Sequence, residues 1–156
     1  MAWCGMDALI HAFEAGSNRW STPVSQPFAL RALELIAPAL PRAVQGDQTA
    51  LSDMLLGSFY AGYAIENCGT AVAHNTSHAM AAFAPIHHGL ATALAFELTI
   101  ERIAAAANPM LGAVAEACGT SVSMLPSWCS GLMNEIGIQH ELPEAFADVS
   151  TEALAA

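Results

Sequence analysis

The sequence predicts an all-α fold, on three observations. Apolar residues recur at three- and four-residue spacing through most of the chain, no stretch alternates apolar and polar at period two over a useful length, and no glycine-rich phosphate loop is present. The chain therefore encodes no dinucleotide-binding unit. At 156 residues it is one domain's worth, long enough to bury a substantial core, and no internal repeat or low-complexity linker divides it.

The elements follow in order. Ala2 to Gly16 reads as a first helix, ended by the turn-like Gly16-Ser17-Asn18. Pro23 to Val44 makes a second, with Phe28, Leu30, Leu33, Leu35 and Leu40 mixed with Arg31 and Glu34; Pro38 and Pro41 are expected to kink or break its end. Asp47 is an N-cap for a third helix running to Asn67, in which Leu51, Met54, Leu55, Phe59 and Tyr63 recur at helical spacing. The fourth, Thr70 to Phe83, carries His74 and His78, and a short loop with Pro85 and tandem histidines follows it. The fifth spans Gly89 to Ala107, stopped by Asn108-Pro109. Met110 to Cys118 and Ser123 to Ile136 are the sixth and seventh, closed by Gly119 and Gly137. The tail from Glu141 reads as one or two further short helices.

Composition bounds the function. Hydrophobic residues make up 54% and charged residues 12%, so part of the surface is expected to meet a partner, and exposed apolar surface to drive self-association into a homo-oligomer. The net charge of −10, from fourteen acids against four arginines and no lysine, argues against nucleic acid and anionic membrane as partners. No segment reaches the roughly 20 mostly apolar residues of a membrane span. The N-terminus lacks the basic region of a signal peptide, and Cys4, Cys68, Cys118 and Cys129 show no CxxC spacing, so the expectation is a cytoplasmic protein with reduced, buried thiols.

Chemistry is concentrated in two stretches. His74 to Gly89 holds four of the six histidines with no lysine or arginine to make them part of a solvated face, and Gly-Met-Asp-Ala-Leu-Ile-His near the N-terminus sets Asp7 and His11 four residues apart on one helix face. A divalent ion needs more ligands than those two, and His74 and His88 can supply them. Three imidazoles and a carboxylate suit Zn(II) or Fe(II) rather than the all-oxygen shells of Mg(II) or Ca(II). The tandem His87-His88 leaves two candidates for the fourth ligand; spacing and the following glycine favour His88. Glu14 is expected to pair or cap, His140 to lie on the surface, and the methionines with Phe59, Tyr60 and Tyr63 to belong to the core.

The motif Gly-Met-Asp-Ala-Leu-Ile-His-Ala-Phe-Glu-Ala, followed by His, three residues, His, nine residues and His-Gly, resembles the iron-containing alcohol dehydrogenases, specifically their helical C-terminal domain in the dehydroquinate synthase-like fold. The resemblance runs from Ala2 to the C-terminus and departs from the pattern at Ala81, where glycine is usual, and at His87, where proline is usual. It implies Asp7, His11, His74 and His88 as metal ligands, and His78 in the catalytic cleft beside substrate and nicotinamide rather than on the metal. It also implies an NAD(P)-dependent, metal-assisted interconversion of an alcohol with an aldehyde or ketone, with Fe(II) or Zn as the metal. NAD(P) would be bound by an N-terminal α/β domain that this chain lacks. Residues 1–156 are thus expected to be a helical metal-binding domain, a fragment shortened at both ends and inactive alone. Two other readings stand beside it: a metal-dependent hydrolase with Glu14 or His78 as general base, and a helical interaction module with a structural or vestigial metal.

Overall fold

The computed structural model describes residues 1–147, in which every regular element is helical. The α-helices are α1 (Ala2–Ser17), α2 (Ser25–Val44), α3 (Gln48–Cys68), α4 (Val72–Phe83), α5 (His88–Ala105), α6 (Leu111–Ala117) and α7 (Leu125–Glu135). Short 3-10 turns cover Val122–Met124 and Glu144–Phe146. No helix among the described residues is long and apolar enough to cross a membrane.

Helix α1 is the centre of the arrangement: α2, α3, α4, α5 and α6 all pack against it. Its sequence explains this. Met6, Leu9, Ile10, Ala12 and Phe13 are fully buried and surround most of the helix, and a helix that is apolar nearly all round belongs inside. Phe13 meets Phe96 of α5 edge-on, with ring centroids 4.8 Å apart.

Helix boundaries agree with local chemistry. Asp47 caps α3, its Oδ1 accepting from the amides of Thr49 and Ala50 at 2.8 and 3.3 Å. Gly119 and Gly137 take φ of +75° and +71° just past α6 and α7, the left-handed conformation that ends a helix.

Four expectations are corrected. Helix α2 continues unbroken through Pro38 and Pro41 to Val44. Pro38 is exposed, and buried Ile36, Ala39, Leu40 and Ala43 hold the helix to the core. Second, of the expected α3 stripe Met54 is buried and Leu51 packs against the core, but Leu55, Phe59 and Tyr63 are 74%, 66% and 42% exposed. The buried stripe is Ala50, Met54, Gly57, Ala61, Ala64 and Cys68, repeating at four and three residues. Close packing on α2 selects it, since a Cβ on Gly57 would sit 2.5 Å from the Ile36 side chain. Third, Cys4 is exposed, whereas the other three cysteines are buried as expected and all four are free. Fourth, the tail from Glu141 forms a single 3-10 turn, Glu144–Phe146, within the described residues, and the rest of that expectation lies outside them.

Candidate metal centre

Three helices converge on one point. Helix α1 presents Asp7, His11 and Glu14 at i, i+4 and i+7, one face of the helix. Helix α4 brings His74, and the first residue of α5 is His88. One ligating atom each from Asp7, His11, His74 and His88 lie within 4.8 Å of one another. Asp7 sits between the imidazoles: its Oδ2 is 3.8 Å from His11 Nδ1, and its Oδ1 is 3.6 Å from His74 Nε2 and 3.4 Å from His88 Nε2. The rings of His11 and His74 stack with centroids 4.3 Å apart.

Glycine makes the approach of α5 possible. A Cβ on Gly89 would stand 2.4 Å from the carbonyl oxygen and 2.7 Å from the carbonyl carbon of Trp3. Only a glycine lets the start of α5 lie against the α1 backbone, which is what delivers His88 to Asp7. The neighbouring His87 does something else. Its Nδ1 accepts the Gly89 amide at 3.2 Å, capping α5, and its ring packs 4.8 Å from Trp3. Of the tandem pair, therefore, His88 faces the cluster.

Behind the cluster lies Glu14, 1% exposed. Its Oε2 is 2.7 Å from His74 Nδ1 and accepts the Ala71 amide at 2.7 Å, while Oε1 accepts the Ala73 amide at 2.6 Å. It both pairs and caps, as its position suggested. With both oxygens occupied and the side chain 1% exposed, it is not placed to act as a general base, which leaves His78 as the remaining candidate for the hydrolase reading.

The electrostatics carry the mark of a cation site. Burial raises the Asp7 carboxyl, but His74 and the charges of His11 and His88 outweigh it and the net direction is down. Burial and the neighbouring imidazoles hold His11 low, Asp7 opposing. Burial pulls His74 down, but the facing Asp7 and Glu14 carboxylates carry it up to about 9. Asp7 Oδ1 and His74 Nε2 are buried with no hydrogen-bond partner. Two such atoms, an acceptor and an imidazole nitrogen facing each other too far apart to bond, have an unmet demand that a divalent ion between them satisfies. The donor set fits Zn(II) or Fe(II).

The cluster is open on one side. His88 is 46% exposed, and His78, one turn beyond His74 on α4, is exposed with its ring stacked on that of His88 at 5.4 Å between centroids. His140 is exposed, as expected, yet it is pinned: Nδ1 lies 2.8 Å from Glu97 Oε1, which also accepts from Ser130, and Nε2 lies 3.0 Å from Asn134 Oδ1. This clamp borders a cavity of about 660 Å³ lined by Met80, Phe83, Leu94, Ile100 and Phe146, and none of the four cluster residues lines it. Sequence spacing carries no signal for a partnership between Glu97 and His140, 43 residues apart.

A helical domain that gathers Asp7 and three histidines at the junction of α1, α4 and α5 is of the class with a candidate metal site between its helices. More narrowly, residues 1–156 match the C-terminal domain of the Fe-containing alcohol dehydrogenase family, and the chain belongs to that family. It is 37% identical over 90 residues to lactaldehyde reductase of Escherichia coli K12, covering 58% of this chain and 24% of that one. It is 33% identical over 123 residues to the NAD-dependent methanol dehydrogenase of Bacillus methanolicus, covering 78% and 32%. Among solved structures, an iron-containing alcohol dehydrogenase from Thermotoga maritima superposes with a TM-score of 0.76 at 29% identity, over 96% of this chain and 38% of that one. Sulfoacetaldehyde reductase from Bifidobacterium kashiwanohense, in complex with NAD+, superposes with a TM-score of 0.84 at 25% identity, over 99% and 41%. The chain thus spans 24% to 41% of the length of these four relatives.

Proposed function

We propose that this chain is the metal-binding helical domain of an NAD(P)-dependent alcohol dehydrogenase, with Asp7, His11, His74 and His88 holding one Fe(II) or Zn(II). The observation that carries the reading is the convergence of four ligating atoms within 4.8 Å, two of them buried and unpartnered. The relatives' names supply the reaction class: alcohol and aldehyde interconverted with a nicotinamide. A bound divalent ion would polarise the alcohol or carbonyl oxygen, which is the chemistry this donor set is suited to supply.

The chain's own residues do the rest. His74, held from behind by Glu14, and Asp7 define the closed side of the site, and the exposed imidazoles of His88 and His78 border the open side through which a small alcohol or aldehyde enters. His78 stands off the cluster by one helical turn, so its ring is free to orient substrate or move a proton at the mouth. NAD(P) would be bound by the part of the enzyme corresponding to the relatives' remaining length, so residues 1–156 alone should not turn over. Four free cysteines accord with a cytoplasmic setting, and the exposed Leu55, Phe59 and Tyr63 of α3 offer a surface for self-association.

Elemental analysis tests the metal reading. Protein purified anaerobically, then reloaded with Fe(II) or Zn(II), should hold about one equivalent in the wild type, and His74→Ala and Asp7→Asn should lose it. A wild type that takes up no metal under any loading sinks the reading. His78→Ala should retain the metal, which separates a residue at the mouth from a ligand.

A further inference from the structure

The proposal here concerns how the cluster is kept ready, and it rests on the metal reading above. A histidine can ligate through Nε2 only if that nitrogen carries no proton, and which nitrogen is protonated is set by what the other one meets. For His74 the other one meets Glu14. The Glu14 side chain is buried, and its two oxygens already accept the amides of Ala71 and Ala73 at 2.7 and 2.6 Å. Backbone amides can only donate, and these two belong to the N-terminus of α4, Ala71 just before the helix and Ala73 in its first turn. The third group at that carboxylate, His74 Nδ1 at 2.7 Å, must therefore donate as well.

We propose that Glu14 is a positioning residue for the metal centre: it holds Nδ1–H of His74 and so leaves Nε2, which faces Asp7, as the nitrogen that ligates once an ion takes the place of its proton. The same carboxylate does a second thing. Because Glu14 shares α1 with Asp7 and His11, its bonds to Ala71, Ala73 and His74 clamp the start of α4 to the helix that carries two of the other ligands. One residue thus sets which nitrogen of the third ligand faces the site and its distance from the first two.

Glu14→Gln removes the charge and keeps the shape. The amide has one acceptor where the carboxylate has two. If its NH2 takes the Oε2 position, it opposes the Ala71 amide and donates to His74 Nδ1, which protonates Nε2. If it flips, the NH2 opposes the Ala73 amide instead. The first arrangement turns a protonated Nε2 toward the site, and the second keeps the bond to His74 Nδ1 but releases the Ala73 amide and loosens the start of α4; Zn(II) affinity measured by chelator competition should therefore fall by about 10–100-fold, the usual range for partners that orient a ligand.

The experiment pairs that titration with 15N NMR of the histidine rings in the Zn(II)-loaded proteins. The expected result is wild-type His74 bound through Nε2 with a protonated, hydrogen-bonded Nδ1, and weakened binding in Glu14→Gln with the helical circular dichroism retained. Wild-type binding with Glu14→Gln within twofold of it overturns the role of Glu14 and leaves the metal site standing. Failure of the wild type to bind Zn(II) overturns the metal reading, and this proposal with it. Should Glu14→Gln fail to fold, the wild-type spectrum decides: His74 bound through Nδ1, or with Nδ1 unprotonated, refutes the proposal without any variant.

Discussion

Gly89→Ala is the most direct test of how the site is assembled. On helix propensity alone, alanine near the start of α5 would be favoured by up to about 1 kcal/mol. The contacts argue the other way. The new methyl would meet the Trp3 carbonyl at 2.4 and 2.7 Å, against 3.4 Å or more for ordinary contact, and those are backbone atoms of α1 that cannot rotate aside. The start of α5 must retreat by about 1 Å, a distance over which close-packed contacts lose much of their attraction. Overpacking of this kind costs about 1–3 kcal/mol, so the net expectation is a loss of about 1–2 kcal/mol, or roughly 3–6 °C in Tm for a chain of this size. The retreat also draws His88 away from Asp7 Oδ1, now 3.4 Å from its Nε2, and Zn(II) affinity should drop about tenfold or more. Thermal denaturation of metal-free protein and chelator competition read the two effects. Gly62→Ala is the control: Gly62 lies exposed within α3 with nothing near its missing Cβ, and alanine there should stabilise by about 0.5–1 kcal/mol. A Gly89→Ala protein that melts at or above wild type and binds Zn(II) equally would refute the packing argument.

Three further outcomes are expected. In metal-free protein, the raised His74 stabilises the fold fully below about pH 6.5 and loses that contribution as pH rises toward about 9, while the lowered His11 works the other way below about pH 6.5; stability should therefore peak near neutrality, and His74→Gln should flatten the alkaline limb, a steeper limb in the variant contradicting the assignment. Pro38→Ala restores an amide inside α2 at an exposed position and should raise stability by about 1–3 kcal/mol in urea denaturation; a fall would mean that the proline is needed where it stands. Stripping the metal should loosen the segment from His74 to Gly89, which loses the common partner of two of its histidines, and hydrogen exchange that is equally slow there with and without chelator would exclude the coupling.

The stretches that carry chemistry were legible because their signals are local. Asp7 and His11 are one turn apart, His87, His88 and Gly89 are consecutive, and Asp47, Gly119 and Gly137 sit where a helix must start or stop, so neighbours along the chain decide what each does. Glu14 was legible in part: its spacing puts it on the face of Asp7 and His11, but its partner His74 is 60 residues away.

What the tertiary structure decided are the matters on which local pattern is silent. Helical spacing finds a stripe in α3, yet two stripes are present, and close packing on α2 at Gly57 chose the small one, leaving Leu55 and Phe59 outside. The prolines of α2 read as a kink or a break, but burial of Ile36, Ala39 and Leu40 keeps the helix continuous to Val44 despite the missing amides. Above all, a sequence can name four ligating residues, but it is the packing of α4 and α5 on α1 that brings them within 4.8 Å. The physical reason is the range of the forces. Capping, turns and helix faces are set within a few residues, whereas burial and the meeting of charges depend on which surfaces the folded chain presses together.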